Sequence, residues 1–137
     1  MSGGTREPPE PILFVDRDAW SNALGEALTA AGIAFVAHHQ RFAPAAPDTE
    51  WLGVAGAEGW LVLTRDQNIR RRPNELAAVK AAGICMFVLG QGNLSAAETA
   101  RIVVGAYPRM LRAARSAHRP AVFTLTRSGE LRRLGLR

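Results

Sequence analysis

At 137 residues, 47% hydrophobic and 21% charged, the chain holds enough apolar material for one buried core. That balance excludes wholesale disorder, and no apolar run approaches the roughly 20 residues of a membrane span. The single cysteine, Cys85, cannot form an internal disulfide, so a reduced, cytoplasmic setting is expected. The net charge is +5, and Lys80 is the one lysine among 17 basic residues. Arginine forks suit phosphates and carboxylates, so nucleic acid or an acidic protein are the natural partners. GC-rich coding would explain the arginine preference equally well.

In chain order, residues 1–11 lack the apolar core of a secretory signal and are expected to form a flexible lead-in. Residues 12–137 are expected to form one domain, with no internal repeat or interdomain linker. The run Ile12-Leu13-Phe14-Val15 is apolar on both faces and ends at Asp16, as a buried parallel strand would. Leu24, Ala27, Leu28 and Ala31 recur at helical spacing over 19–31, with Asp16 or Asp18 as N-cap candidates and Gly32 as the stop. Ile33 to Ala37 is a second strand, and His38 to Pro47 reads as a polar loop.

Asp48-Thr49-Glu50-Trp51 opens a helix that ends near Gly59, with its acids where the helix dipole favours them. Trp60 to Leu63 is a third strand, running into Thr64-Arg65-Asp66. The basic stretch Arg70-Arg71-Arg72 leads to Pro73 and a short helix, Asn74 to Ala82, closed by Gly83. Ile84 to Leu89 is a fourth strand, followed by a turn at 90–93. Ser95 and Glu98 form a capping box for a long helix reaching about His118, which Pro108 should kink or split. Ala121 to Thr126, a Ser128-Gly129 turn and Glu130 to Leu134 form an antiparallel hairpin. Strands alternating with helices predict a mainly parallel sheet with helices on both faces, a three-layer α/β/α arrangement.

Ligands of open parallel sheets bind beyond the carboxyl ends of the strands. That edge receives Asp16 from the first strand, Asp66 from the third and Asn93 from the loop after the fourth, with Asp18 close behind Asp16 and Asp48 and Glu50 able to face it. Carboxylates gathered this way repel unless a cation neutralises them, and Mg²⁺ or Mn²⁺ is the usual one. Histidine and cysteine are too sparse for a zinc site. Neither a phosphate-binding G-x-x-x-x-G-K-[ST] loop nor a G-x-G-x-x-G motif after the first strand is present.

Taken together, Phe14-Val15-Asp16-Arg17, Asp48-Thr49-Glu50-Trp51, the run from Gly59 to Asp66, Phe87-Val88-Leu89 and Gly92-Asn93-Leu94-Ser95 resemble a PIN-like domain. More narrowly, they resemble the short branch found among VapC-type toxins of toxin–antitoxin pairs. The likeness runs from about Ile12 to Leu134. It implies a Mg²⁺- or Mn²⁺-dependent endoribonuclease, with Asp16 and Asp66 as metal-binding acids and either Asp48 or Glu50 as the helix-borne acid. It further implies in-line attack by water activated at the metal, leaving a 5′-phosphate and a 3′-hydroxyl. A cognate antitoxin and a homodimer follow by the same analogy. One departure is visible: where PIN nucleases often carry an acid near the end of the fourth strand, this chain offers Asn93 and Ser95.

The remaining candidates admit plainer readings. Arg17 and Arg65 flank the acids and could bind RNA phosphate or form surface ion pairs. Arg70, Arg71 and Arg72 lie where an RNA backbone would approach, or simply line a solvated loop. Arg109, Arg112 and Arg115 read as a solvated helix face or a partner surface. Trp51 and Trp60 read as core, Trp20 as a partner surface, His38 and His39 as ordinary loop residues, and Cys85 as an inert buried thiol. Two rival functions remain: a catalytically silent PIN-like module that binds RNA or a partner protein, and a receiver-type signalling domain. The receiver reading lacks the lysine it needs after the last strand.

Overall fold

A computed structural model describes residues 10–90 and 93–136. Most of the lead-in expected at 1–11 and the centre of the turn expected at 90–93 lie outside the described residues. The elements are β1 (Leu13–Val15), α1 (Asn22–Ala30), β2 (Phe35–Ala37), α2 (His38–Arg41), α3 (Asp48–Glu58), β3 (Leu61–Thr64), α4 (Pro73–Ala82), β4 (Cys85–Leu89), α5 (Ala96–Ser116), β5 (Ala121–Leu125) and β6 (Leu131–Leu134). A 3₁₀ turn, Ile69–Arg71, joins β3 to α4.

Six strands form one sheet in the order β2-β1-β3-β4-β5-β6. All neighbours pair in parallel except β5 and β6, so the C-terminal hairpin closes within the sheet. Strand side chains alternate between two buried layers. Leu13, Val15, Leu61, Leu63 and Phe87 pack under α1 and α5. Phe14, Val62, Met86 and Val122 pack with Trp51 and Leu52 of α3 and Val79 of α4. Because both faces are covered, the strands read as continuous apolar runs with no polar alternation. The chain is therefore α/β, with a mostly parallel sheet, helices on both faces and a C-terminal hairpin.

Several local expectations need correction. Helix α1 starts at Asn22 and is capped by Ser21, whose hydroxyl accepts from the Leu24 N–H, so neither Asp16 nor Asp18 caps it. Those acids belong to the loop before the helix, where their side chains turn to β3. The segment after β2 is not all loop: His38–Arg41 forms one helical turn, its start closed by the Ala37 N–H donating to Gln40 Oε1 at 2.8 Å. Ile33, Trp60 and Ile84 fall just outside their strands. Helix α5 runs unbroken through Pro108, which lies on its exposed side. The carbonyl deprived of its N–H partner there can be hydrated. The expected stops hold at Gly59 and Gly83, where the φ angles of 72° and 63° favour glycine.

Candidate metal centre at the carboxyl edge

The strand order reverses at β1, which lies between β2 and β3, so the carboxyl ends of β1 and β3 frame the switch-point crevice. Val15 and Leu63 are the last paired residues, and Asp16 and Thr64 follow them side by side. Asp16 shares the parity of Phe14 and so points into the layer of α3 and α4. Beneath it, Phe14 is fully buried and stacks on Trp51 at 5.1 Å and Trp60 at 5.5 Å. This aromatic platform fixes the height of the β1 terminus. It also confirms Trp51 and Trp60 as core.

Asp16 is 3% exposed. Its Oδ2 accepts from Thr64 Oγ1 at 2.8 Å and its Oδ1 from the Arg17 N–H at 2.7 Å. Burial, followed by repulsion from Asp18, pushes its carboxyl from 3.8 up to about 7, despite those two bonds. Asp18 turns back toward β3, accepting from the Arg65 N–H at 3.0 Å. Thr64 in turn accepts from the Asp66 N–H at 3.0 Å, tying the third-strand acid to the first-strand acid through one hydroxyl.

The helices bring two more acids. Asp48 stands in the first turn of α3, and its Oδ1 accepts from Trp51 Nε1 at 2.9 Å. Glu75 stands in the first turn of α4, behind Pro73 at the N-terminus. Oxygens of Asp48, Asp66 and Glu75 lie within 4.8 Å of one another. Of the two helix-borne candidates, Asp48 reaches this cluster, whereas Glu50 is exposed.

Two arginines neutralise part of the charge. Arg72 bonds both Glu75 and Asp66 and lies 3.8 Å from Asp48. Arg17 lies 3.8 Å from Asp48 and 3.1 Å from His38 Nε2. A guanidinium has no acceptor, so His38 Nε2 must accept and its proton sits on Nδ1. Burial, followed by the Arg17 charge, lowers the His38 pKa and keeps the ring neutral. His38 is therefore a buried positioning group and not an ordinary loop residue; His39 remains exposed and packs on Trp20, with ring centroids 5.2 Å apart.

The other basic candidates are dispersed. Arg65 donates to Thr99 Oγ1 at 2.6 Å, toward α5. Arg70 is half-buried and Arg71 exposed, both in the 3₁₀ turn. Asn93 is exposed, and the Ser95 hydroxyl caps α5, accepting from the Glu98 N–H at 3.0 Å. The chain order places Asp18 at this edge behind Asp16 but singles out neither Thr64 nor Glu75 as part of the centre. Asp18 was visible two positions after a strand-end acid, but Glu75 looked like an ordinary dipole partner until α4 was placed.

The donor set is made of hard carboxylate oxygens, which suits Mg²⁺ or Mn²⁺. Two oxygens bound to one Mg²⁺ lie at most about 4.2 Å apart, so small side-chain movements would suffice once Arg72 swings aside.

A family model described as PIN like domain matches residues 11–91, more than half of the chain. The chain belongs to the PIN-like domain family. No curated protein and no solved structure was found to match it. PIN-like domains are typically metal-dependent nucleases, and the matched span holds β1 to β4 with the three clustered acids and with Asp16 and Asp18. Among the described residues, no helix is long and apolar enough to cross a membrane.

Proposed function

We propose that this PIN-like domain is a metal-dependent endoribonuclease, acting as the toxin of a toxin–antitoxin pair. The observation that carries the nuclease reading is the gathering of Asp48, Asp66 and Glu75 oxygens at the switch-point crevice, with the buried, raised carboxyl of Asp16 linked to Asp66 through Thr64. Asp16, Asp48 and Asp66 would hold the ion, and Glu75 would complete the shell on the α4 side. A divalent cation bound there supplies Lewis acidity toward a phosphodiester oxygen and lowers the pKa of an attacking water.

The protein's own groups do the rest. Thr64 orients Asp16 and fixes the Asp66 backbone. Arg17 is held by His38 and by the Ala46 carbonyl at 3.4 Å, close enough to the acids to meet a phosphate oxygen. RNA as substrate, and an antitoxin as partner, rest on the resemblance to VapC-type toxins and on the arginine-rich charge of +5.

A second reading is a catalytically silent PIN-like module that binds RNA or a protein. Arg72 favours it, because its guanidinium already sits among Asp48, Asp66 and Glu75. Mn²⁺ and Mg²⁺ calorimetry on the wild type, Asp16→Asn and Asp66→Asn separates the two. Saturable binding lost in both variants, with loss of RNA cleavage, supports the nuclease. A wild type that binds neither ion leaves the silent module.

A further inference from the structure

Two adjoining hollows lie beside the connection that follows Asp66, toward the carboxyl ends of β4 and β5. The first, about 150 Å³, is walled by Arg70 and Arg71. The second, about 550 Å³, is walled by Arg127 and Arg132 of the C-terminal hairpin. Gly90 and Thr124 form a floor common to both. Thr124 and Arg132 are direct cross-strand partners and so project from the same face. A Cβ on Gly90 would lie 2.7 Å from the Thr124 methyl group, so glycine is what allows the floor to lie this low.

We infer that this groove is a second binding site, a track for the phosphodiester backbone of single-stranded RNA leading away from the metal centre. No acidic residue lines either hollow. Among the described residues, Arg70, Arg71 and Arg132 make no salt bridge, and Arg127 has one long contact of 4.0 Å with Glu98. The Arg70 Nε–H is buried without an acceptor. Guanidinium donors that have no carboxylate partner are well suited to phosphate oxygens.

The position of the groove argues for a polymer. It begins at Asn68, whose N–H donates to Asp66 at 3.0 Å, and it ends beyond β5. Two strand spacings separate β3 from β5, about 10 Å. A single phosphate would meet only part of this row, whereas an extended backbone with one phosphate at the acids would meet both arginine pairs in turn. The hairpin lies outside residues 11–91, so this half of the track is not part of the matched family region.

The inference rests on the nucleic-acid reading above, and its test avoids the metal. Full-length protein in EDTA is titrated into a fluorescent mixed-sequence RNA of about 12 nucleotides, at several salt concentrations. Arg127→Gln and Arg132→Gln should each weaken binding about three- to fivefold and reduce the salt slope by about 0.7. Arg112→Gln, an equal charge loss on the exposed side of α5, should stay within about twofold. Wild-type affinity and slope in both hairpin variants would overturn the track, as would an equal loss in Arg112→Gln or no RNA binding by the wild type. The expected pattern without any metal binding or cleavage would remove the nuclease reading and leave the track standing.

Discussion

The Thr64 hydroxyl donates to the buried Asp16 carboxylate across 2.8 Å, joining the carboxyl ends of β1 and β3. The same oxygen accepts from the Asp66 N–H, so one side chain sets the position of two proposed metal ligands. Thr64→Val keeps the shape of the side chain but removes the hydroxyl. The bond lowers the Asp16 pKa, so its loss should raise that carboxyl beyond about 7. Carboxyl-carbon NMR titration reads this directly, and an unchanged or lower value would show that Thr64 does not act on Asp16. Denaturant melts at pH 8 should show a loss of about 2 kcal/mol, as for a hydrogen bond to a charged group.

Asp16 itself makes the metal-free protein sensitive to pH. Its carboxyl is near 3.8 when solvated and about 7 in the fold. Between those values the folded protein keeps a proton that the unfolded chain has released. Stability from this group is present below pH 4 and is lost as pH rises through 7, by on the order of 4 kcal/mol. In EDTA, Asp16→Asn should therefore be more stable than the wild type at pH 8, while the two converge near pH 4. A wild type that stays more stable at pH 8 contradicts the assigned burial cost.

Arg72 occupies the place a cation would take between Asp66 and Glu75, and its carboxylate bonds hold its own pKa above the usual arginine value. Metal must displace it. Arg72→Gln should tighten Mn²⁺ binding by about three- to tenfold, a modest gain because Arg72 is 43% exposed and its pairs are screened. Calorimetry measures it. Weaker binding in the variant would mean that Arg72 supports the site instead of competing for it.

Cys85 lies in β4 with no exposure, and burial pushes its thiol up to about 11. A thiol-specific disulfide reagent at pH 8 should leave the native protein unmodified and react once on unfolding. Rapid reaction in the native state would place β4 at the surface.

Much of this molecule is legible along the chain. Short apolar runs ending in Asp16 and in Thr64-Arg65-Asp66 reveal buried parallel strands because both sheet faces are covered. The Ser95–Glu98 capping box marks the start of α5 because its bonds are local. The choice between Asp48 and Glu50 is different: both sit in one helical turn, and only the packing of Trp51 on Phe14 turns Asp48 inward. Glu75 joins the cluster because Arg72 and α4 fold back toward Asp66. The arginine groove likewise needs β5 to lie beside β4, bringing residues more than fifty positions apart to one edge. Sequence alone reveals the order of strands and helices and the helix starts marked by Asp48 and Ser95, since those signals act over a few positions. Tertiary structure decides which acids gather at one edge and which arginines line one groove, since charge acts through space and the chain order does not record those distances.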